Sequence, residues 1–70
     1  MSDVVIEEIN RLIEKILTNI RKNYINIENL CKELYLTEEE FIDIIRVPRR
    51  NVSLYLEILD VVDKMGGSVV

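Results

Sequence analysis

The sequence predicts a compact all-α domain of four helices, followed by a short β-favouring segment. Apolar residues recur at intervals of three and four along most of the chain, which is the spacing of one helix face. A residue that can cap a helix precedes each apolar run, and the connections between the runs are short. We expect one domain over residues 1–70, with helices at about 3–23, 27–34, 38–46 and 53–65, and the β-favouring segment at 68–70.

A stripe of isoleucines predicts the first helix, and Ser2 or Asp3 can cap it. Further apolar residues make the stripe wider than one packing partner needs. It either wraps into its own core or contacts another chain. In the second case the candidate partner interface consists of Ile9, Ile13, Ile16, Val69 and Val70.

Asn26 can cap the second helix, which places Ile27, Leu30, Cys31 and Leu34 on one face. Cys31 is then expected to be a small buried hydrophobic residue, because a reactive thiol needs an electropositive and partly exposed environment.

The third helix begins in the segment YLTEEEF, residues 35–41. Thr37 and Glu40 have the spacing of a capping box, and Leu36 and Phe41 have the spacing of a hydrophobic staple. Pro48 disfavours helical geometry in the residue before it, so the helix should end there. Together with the second helix, this segment predicts a helix-turn-helix.

Asn51 or Ser53 can cap the fourth helix. Its main apolar stripe is expected to consist of Leu54, Ile58, Val61 and Met65. Gly66 suits the left-handed conformation that closes many helices.

Composition argues against several classes of function. The chain has no histidine and one cysteine, so we expect no metal site, no cofactor and no intrachain disulfide. No nucleophile lies beside a base, so we expect no catalytic residues and no enzyme. One free thiol, no signal segment and no long apolar run predict a cytoplasmic protein without a membrane partner. So small a core is often supported by oligomerisation, and we expect a homodimer.

The net charge of −4 is unevenly distributed. Residues 25–45 carry six acidic residues and one basic residue, whereas residues 46–53 carry three arginines and no acid. An acidic protein lacks the general attraction to nucleic acid, so any such binding would depend on this local basic patch.

The segment NIENLCKELYLTEEEFIDIIRVPRRNVSLYLEILDVVDKMGG resembles the Cro/C1-type, or XRE-like, helix-turn-helix family of small phage and bacterial regulators and antitoxins. The resemblance lies in Asn26 at a helix cap, Thr37 opening the third helix, Phe41 and Ile44 in its core positions, and NVSLYLEILDVV as the last helix. It implies a dimer that binds double-stranded DNA. The implied DNA-binding candidates are Thr37, Glu38, Glu39, Ile42, Asp43, Arg46, Arg49, Arg50 and Asn51.

Two features depart from that family. Tyr35 stands where the family usually has glycine or another residue that tolerates a positive φ, which implies either backbone strain or a different turn. The third helix begins with three glutamates where relatives have side chains that contact bases and phosphates. The glutamates can stabilise the start of the helix, accept a hydrogen bond from cytosine, or match a basic partner protein.

The three arginines also have two interpretations: they hold phosphates, or they neutralise the acids beside them. Two functions therefore remain. One is a small dimeric DNA-binding transcriptional regulator. The other is a helix-turn-helix protein-interaction module, a regulator or inhibitor of a partner, without sequence-specific DNA binding.

Overall fold

A computed structural model describes residues 3–67, and it confirms the all-α prediction. Its helices are α1 (Val4–Lys22), α2 (Ile27–Leu34), α3 (Glu38–Arg46) and α4 (Val52–Gly67). The predicted bounds of α2 and α3 are confirmed, and those of α1 and α4 differ by one or two residues. The β-favouring segment at residues 68–70 lies outside the described residues.

Local side-chain caps explain why α2 and α3 begin where the sequence predicts. The Asn26 side chain accepts a hydrogen bond from the Asn29 N–H at 3.2 Å. Thr37 Oγ1 accepts from the Glu40 N–H, and Glu40 Oε1 accepts from the Thr37 N–H, each at 3.1 Å. This is the predicted capping box, which satisfies two backbone donors that the first helical turn leaves unpaired.

The caps of α1 and α4 resolve two alternatives. Asp3 Oδ1 accepts from the N–H groups of Val5 and Ile6, so Asp3 caps α1. Asn51 Oδ1 accepts from the Leu54 N–H at 3.3 Å, so Asn51 caps α4 and Ser53 lies inside the helix.

Helices α1 and α4 run side by side in the same direction and make the most extensive helix pair among the described residues. At their starts, Arg50 forms an ion pair with Asp3. At their ends, Asn19 donates to the Asp63 carboxylate at 2.9 Å. Helices α2 and α3 connect the end of α1 to the start of α4. Helix α2 packs on both α3 and α4.

Gly66 does not close α4 in a left-handed conformation, so that prediction was wrong. The helix continues through Gly67, and no described glycine has a positive φ. A Cβ atom on Gly66 would lie 2.4 Å from the Asn23 side-chain nitrogen, closer than real Cβ contacts. Gly66 therefore permits the close approach of the ends of α1 and α4.

The apolar stripe of α1 is covered by its own chain. Ile9 and Ile16 are fully buried and Ile13 is nearly so, hence the expectation that these three residues contact a partner was wrong for this fold. Val69 and Val70, which completed that candidate interface, lie outside the described residues. The rest of the buried core consists of Leu12, Leu30, Cys31, Phe41, Ile44, Tyr55, Ile58 and Val62.

The buried face of α4 differs from the predicted apolar stripe and includes Tyr55. Tyr55, Ile58 and Val62 are fully buried, whereas the expected Leu54, Val61 and Met65 are only partly buried. The most deeply buried face of α4 therefore includes an aromatic residue that the sequence pattern did not select.

Candidate functional site

The outward face of α3 forms a shallow groove, which we call the α3 groove. It is lined by Glu39, Ile42, Asp43, Arg46 and Val47. The first four follow the i, i+3, i+4, i+7 spacing that places side chains on one face of a helix, and Val47 is the residue that caps its end. The opposite face buries Phe41 and Ile44 in the core, so packing fixes which side chains point outward.

The α3 groove combines apolar surface with carboxylates. Ile42 is 50% exposed and Val47 is 63% exposed, although neighbouring apolar residues of α3 are buried. Glu39 and Asp43 lie at the start and middle of the groove, and Arg46 lies at its far end. A surface of this kind suits an amphipathic protein segment better than a phosphate backbone, which carries uniform negative charge.

Of the three candidate arginines, two are paired with acids. Arg49 Nη2 lies 3.2 Å from Asp43 Oδ2, and Arg50 pairs with Asp3. Arg46 forms no ion pair with an acid among residues 3–67. The interpretation in which the arginines neutralise neighbouring acids thus describes Arg49 and Arg50, although exposed pairs are weak and exchangeable.

The remaining DNA-binding candidates have structural roles or acidic charge. Thr37 is engaged in the capping box, and the Asn51 side chain caps α4. Glu38 and Glu39 are exposed in the first turn of α3, where negative charge stabilises the helix dipole. The predicted residues therefore lie along one continuous part of the chain, but only some of them share the α3 groove.

The basic loop and Lys22 lie at opposite ends of α1. The Asp3–Arg50 pair holds the basic loop at the start of α1. Lys22 lies at the other end of that 19-residue helix, about 28 Å away at 1.5 Å per residue. The basic loop and Lys22 are therefore too far apart to contact the same phosphate groups.

Sequence reasoning missed Tyr55, which supports the loop after α3. Its hydroxyl donates to the Ile44 carbonyl at 2.7 Å and accepts from the Arg49 N–H at 2.8 Å. The Ile44 carbonyl needs this donor, because its helical partner would be the N–H of residue 48, which is proline. Pro48 has no N–H, so the sequence did indicate that the Ile44 carbonyl needs a donor from elsewhere.

Tyr35 adopts the left-handed conformation, with φ 57° and ψ 38°, so the alternative of a strained turn holds. Tyr24, between α1 and α2, also has a positive φ, of 53°. In both turns the next residue donates back to a carbonyl five residues earlier, as in a Schellman motif. The two rings are 94% and 95% exposed, so neither gains packing energy that offsets the strain.

Cys31 is buried, as predicted. Burial raises the pKa of its thiol, and the Glu38 carboxylate raises that pKa further. The thiolate is therefore disfavoured at neutral pH, and the setting is the opposite of the electropositive one that activates cysteine.

Among residues 3–67, no group of three or more metal-ligating side chains is present. Within the same range, every helix is too short or too polar to cross a bilayer. Comparisons with protein-family models, curated proteins and solved structures each found no match to the chain. The resemblance to the Cro/C1-type family thus stays a prediction.

Proposed function

We propose that this protein is a protein-interaction module that binds its partner through the α3 groove, without reading a DNA sequence. One observation carries the proposal: the helix that should enter a DNA groove instead exposes Ile42 beside Glu39 and Asp43, and Val47 is exposed just after its end. Exposed apolar side chains with convergent charges are typical of surfaces that accept an amphipathic helix.

Electrostatics also support protein binding over DNA binding. The phosphates beside a recognition helix would approach Glu38, Glu39 and Asp43, and like charges brought together weaken association. Only three arginines lie at or just after the end of α3, and two of them already form ion pairs with acidic residues.

A pair of matched variants tests this proposal. Ile42 and Leu56 are both 50% exposed, but Leu56 belongs to α4 and does not line the groove. We expect Ile42→Asp to lose a partner that co-purifies with the wild-type protein, and Leu56→Asp to retain it. Circular dichroism confirms that both variants are folded. A partner kept by both variants would contradict the proposal.

A DNA-binding regulator is the second candidate, favoured by Arg46, which pairs with no acid among residues 3–67 at the end of α3. Arg49 and Arg50 would supply further phosphate contacts once their weak ion pairs exchange. On this candidate, fluorescence anisotropy should detect duplex binding that weakens steeply with salt and disappears in the double variant Arg49→Glu, Arg50→Glu. No binding to duplex DNA at low salt excludes it.

A further inference from the structure

We propose that the occupant of the α3 groove is a basic amphipathic helix, and that Arg49 competes with its cationic side chain for Asp43. This inference rests on the function proposed above and specifies the chemistry of the partner. The Asp43–Arg49 ion pair then represents the free state of the groove.

The apolar side chains of the α3 groove favour an amphipathic partner segment. Ile42 and Val47 lie five residues apart and remain half-exposed or more at the centre and the end of the α3 groove. Two or three apolar side chains at helical spacing on a partner segment would cover both residues. Polar peptides would leave them in water and gain nothing from that contact.

The charges of the groove select a basic occupant. Glu39 and Asp43 are separated by one helical turn. Lysine or arginine side chains one turn apart on a partner helix match this spacing. Arg46 at the far end restricts the basic residues to the half of the segment that lies beside Glu39 and Asp43.

Arg49 reaches Asp43 from outside the groove. Asp43 lines the groove, whereas Arg49 belongs to the loop between α3 and α4 and does not. The loop is held there because the Arg49 N–H donates to the buried Tyr55 hydroxyl. Both members of the pair have side chains about 60% exposed, so a partner's cation can replace the guanidinium without burying either group.

Arg50 provides a matched control. It follows Arg49 in the same loop, carries the same charge and is also ion-paired, but its partner is Asp3 at the start of α1. Asp3 does not line the groove. Removing either arginine changes the net charge equally, so a difference between the two variants separates the loss of the Asp43 ion pair from a change in net charge.

The test measures affinity for a designed, fluorescein-labelled helical peptide with leucines at helical spacing and lysines beside them. Fluorescence anisotropy at low salt compares wild type, Arg49→Gln, Arg50→Gln and Asp43→Asn. We expect Arg49→Gln to bind about two- to fivefold more tightly, the scale of one exposed ion pair, and Arg50→Gln to change affinity less than twofold. Asp43→Asn should weaken binding, and adding Arg49→Gln to it should restore nothing.

The possible failures are distinguishable. Equal effects of Arg49→Gln and Arg50→Gln would overturn the competition, because only net charge would matter. If Arg49→Gln instead weakens binding to duplex DNA and leaves the peptide unaffected, Arg49 holds phosphate and the inference is wrong. Peptide binding that is indifferent to Ile42→Asp rejects the groove itself, and with it the proposed function. Self-association that Ile42→Asp abolishes, measured by sedimentation, would identify a second copy as the occupant instead.

Discussion

The α1–α4 pair and the α3 groove use similar apolar residues in opposite ways. Along α1 and α4, isoleucines are fully buried, and a Cβ atom on Gly66 would require the Asn23 side chain to shift. On α3, Ile42 is half-exposed and its neighbours are charged. The comparison separates a region that stabilises the fold from a region whose side chains contribute little to stability and are available for binding.

The same substitution made in each region gives the largest expected contrast. Ile58→Ala removes a fully buried side chain from α4 and should lower the free energy of unfolding by about 2–5 kcal/mol. Ile42→Ala removes a half-exposed side chain and should lower it by about 1 kcal/mol or less. Urea unfolding measures both, and equal losses would contradict the division into two regions.

Tyr55→Phe tests the contact that joins the regions. The variant keeps the buried ring but leaves the Ile44 carbonyl and the Arg49 N–H without their partner, which should destabilise the fold by about 1–3 kcal/mol. Tyr24→Phe is the matched control, because the Tyr24 ring is almost fully exposed and its loss of a hydroxyl should change nothing. A neutral Tyr55→Phe would mean that water replaces the phenol.

Tyr35→Gly should stabilise the protein. Glycine adopts the left-handed conformation freely, whereas other L-residues are penalised by about 1–2 kcal/mol there, and the exposed ring of Tyr35 contributes no burial. We expect a gain of about 1 kcal/mol in thermal or urea unfolding. Tyr35→Ala should give no such gain, and a loss in both variants would show that the ring makes stabilising contacts.

Cys31 gives the smallest expected effect, and it appears only at alkaline pH. Because the pKa of the folded thiol is raised, the unfolded state loses its proton first as pH rises through the ordinary thiol range. Stability should therefore fall between the unfolded and folded pKa values. Cys31→Ala should remove that part of the pH dependence; an unchanged alkaline slope would contradict it.

Local chemistry explains which parts of the fold were predictable. The caps Asn26 and Thr37 act within three residues, so the sequence alone predicts where α2 and α3 begin. Pro48 likewise acts on the residue before it, and α3 ends before Val47, as expected. The resemblance to a helix-turn-helix family adds the order of these helices, but it does not determine their surface chemistry.

Contacts between distant residues explain what the sequence did not predict. Arg50 and Asp3 are 47 residues apart, so pairing of the basic loop with the start of α1 has no local signature. Gly66 stands near a helix end, and the side chain it contacts, Asn23, follows the end of α1, more than 40 residues earlier in the chain. The wide apolar face of α1 could likewise pack against its own core or against another chain. Only the packing of the whole chain distinguishes these two alternatives.

Arg49 contacts both the buried core and the α3 groove. Its backbone N–H is bonded to a phenol in the core, and its guanidinium reaches an exposed carboxylate on α3. If the proposed occupant displaces the guanidinium, folding stability and binding are thermodynamically linked at this residue, and such a linkage has the same magnitude in both directions. An occupant that displaces the guanidinium should change the hydrogen-exchange rate of the Arg49 amide, so this partly buried hydrogen bond would report on binding at the surface.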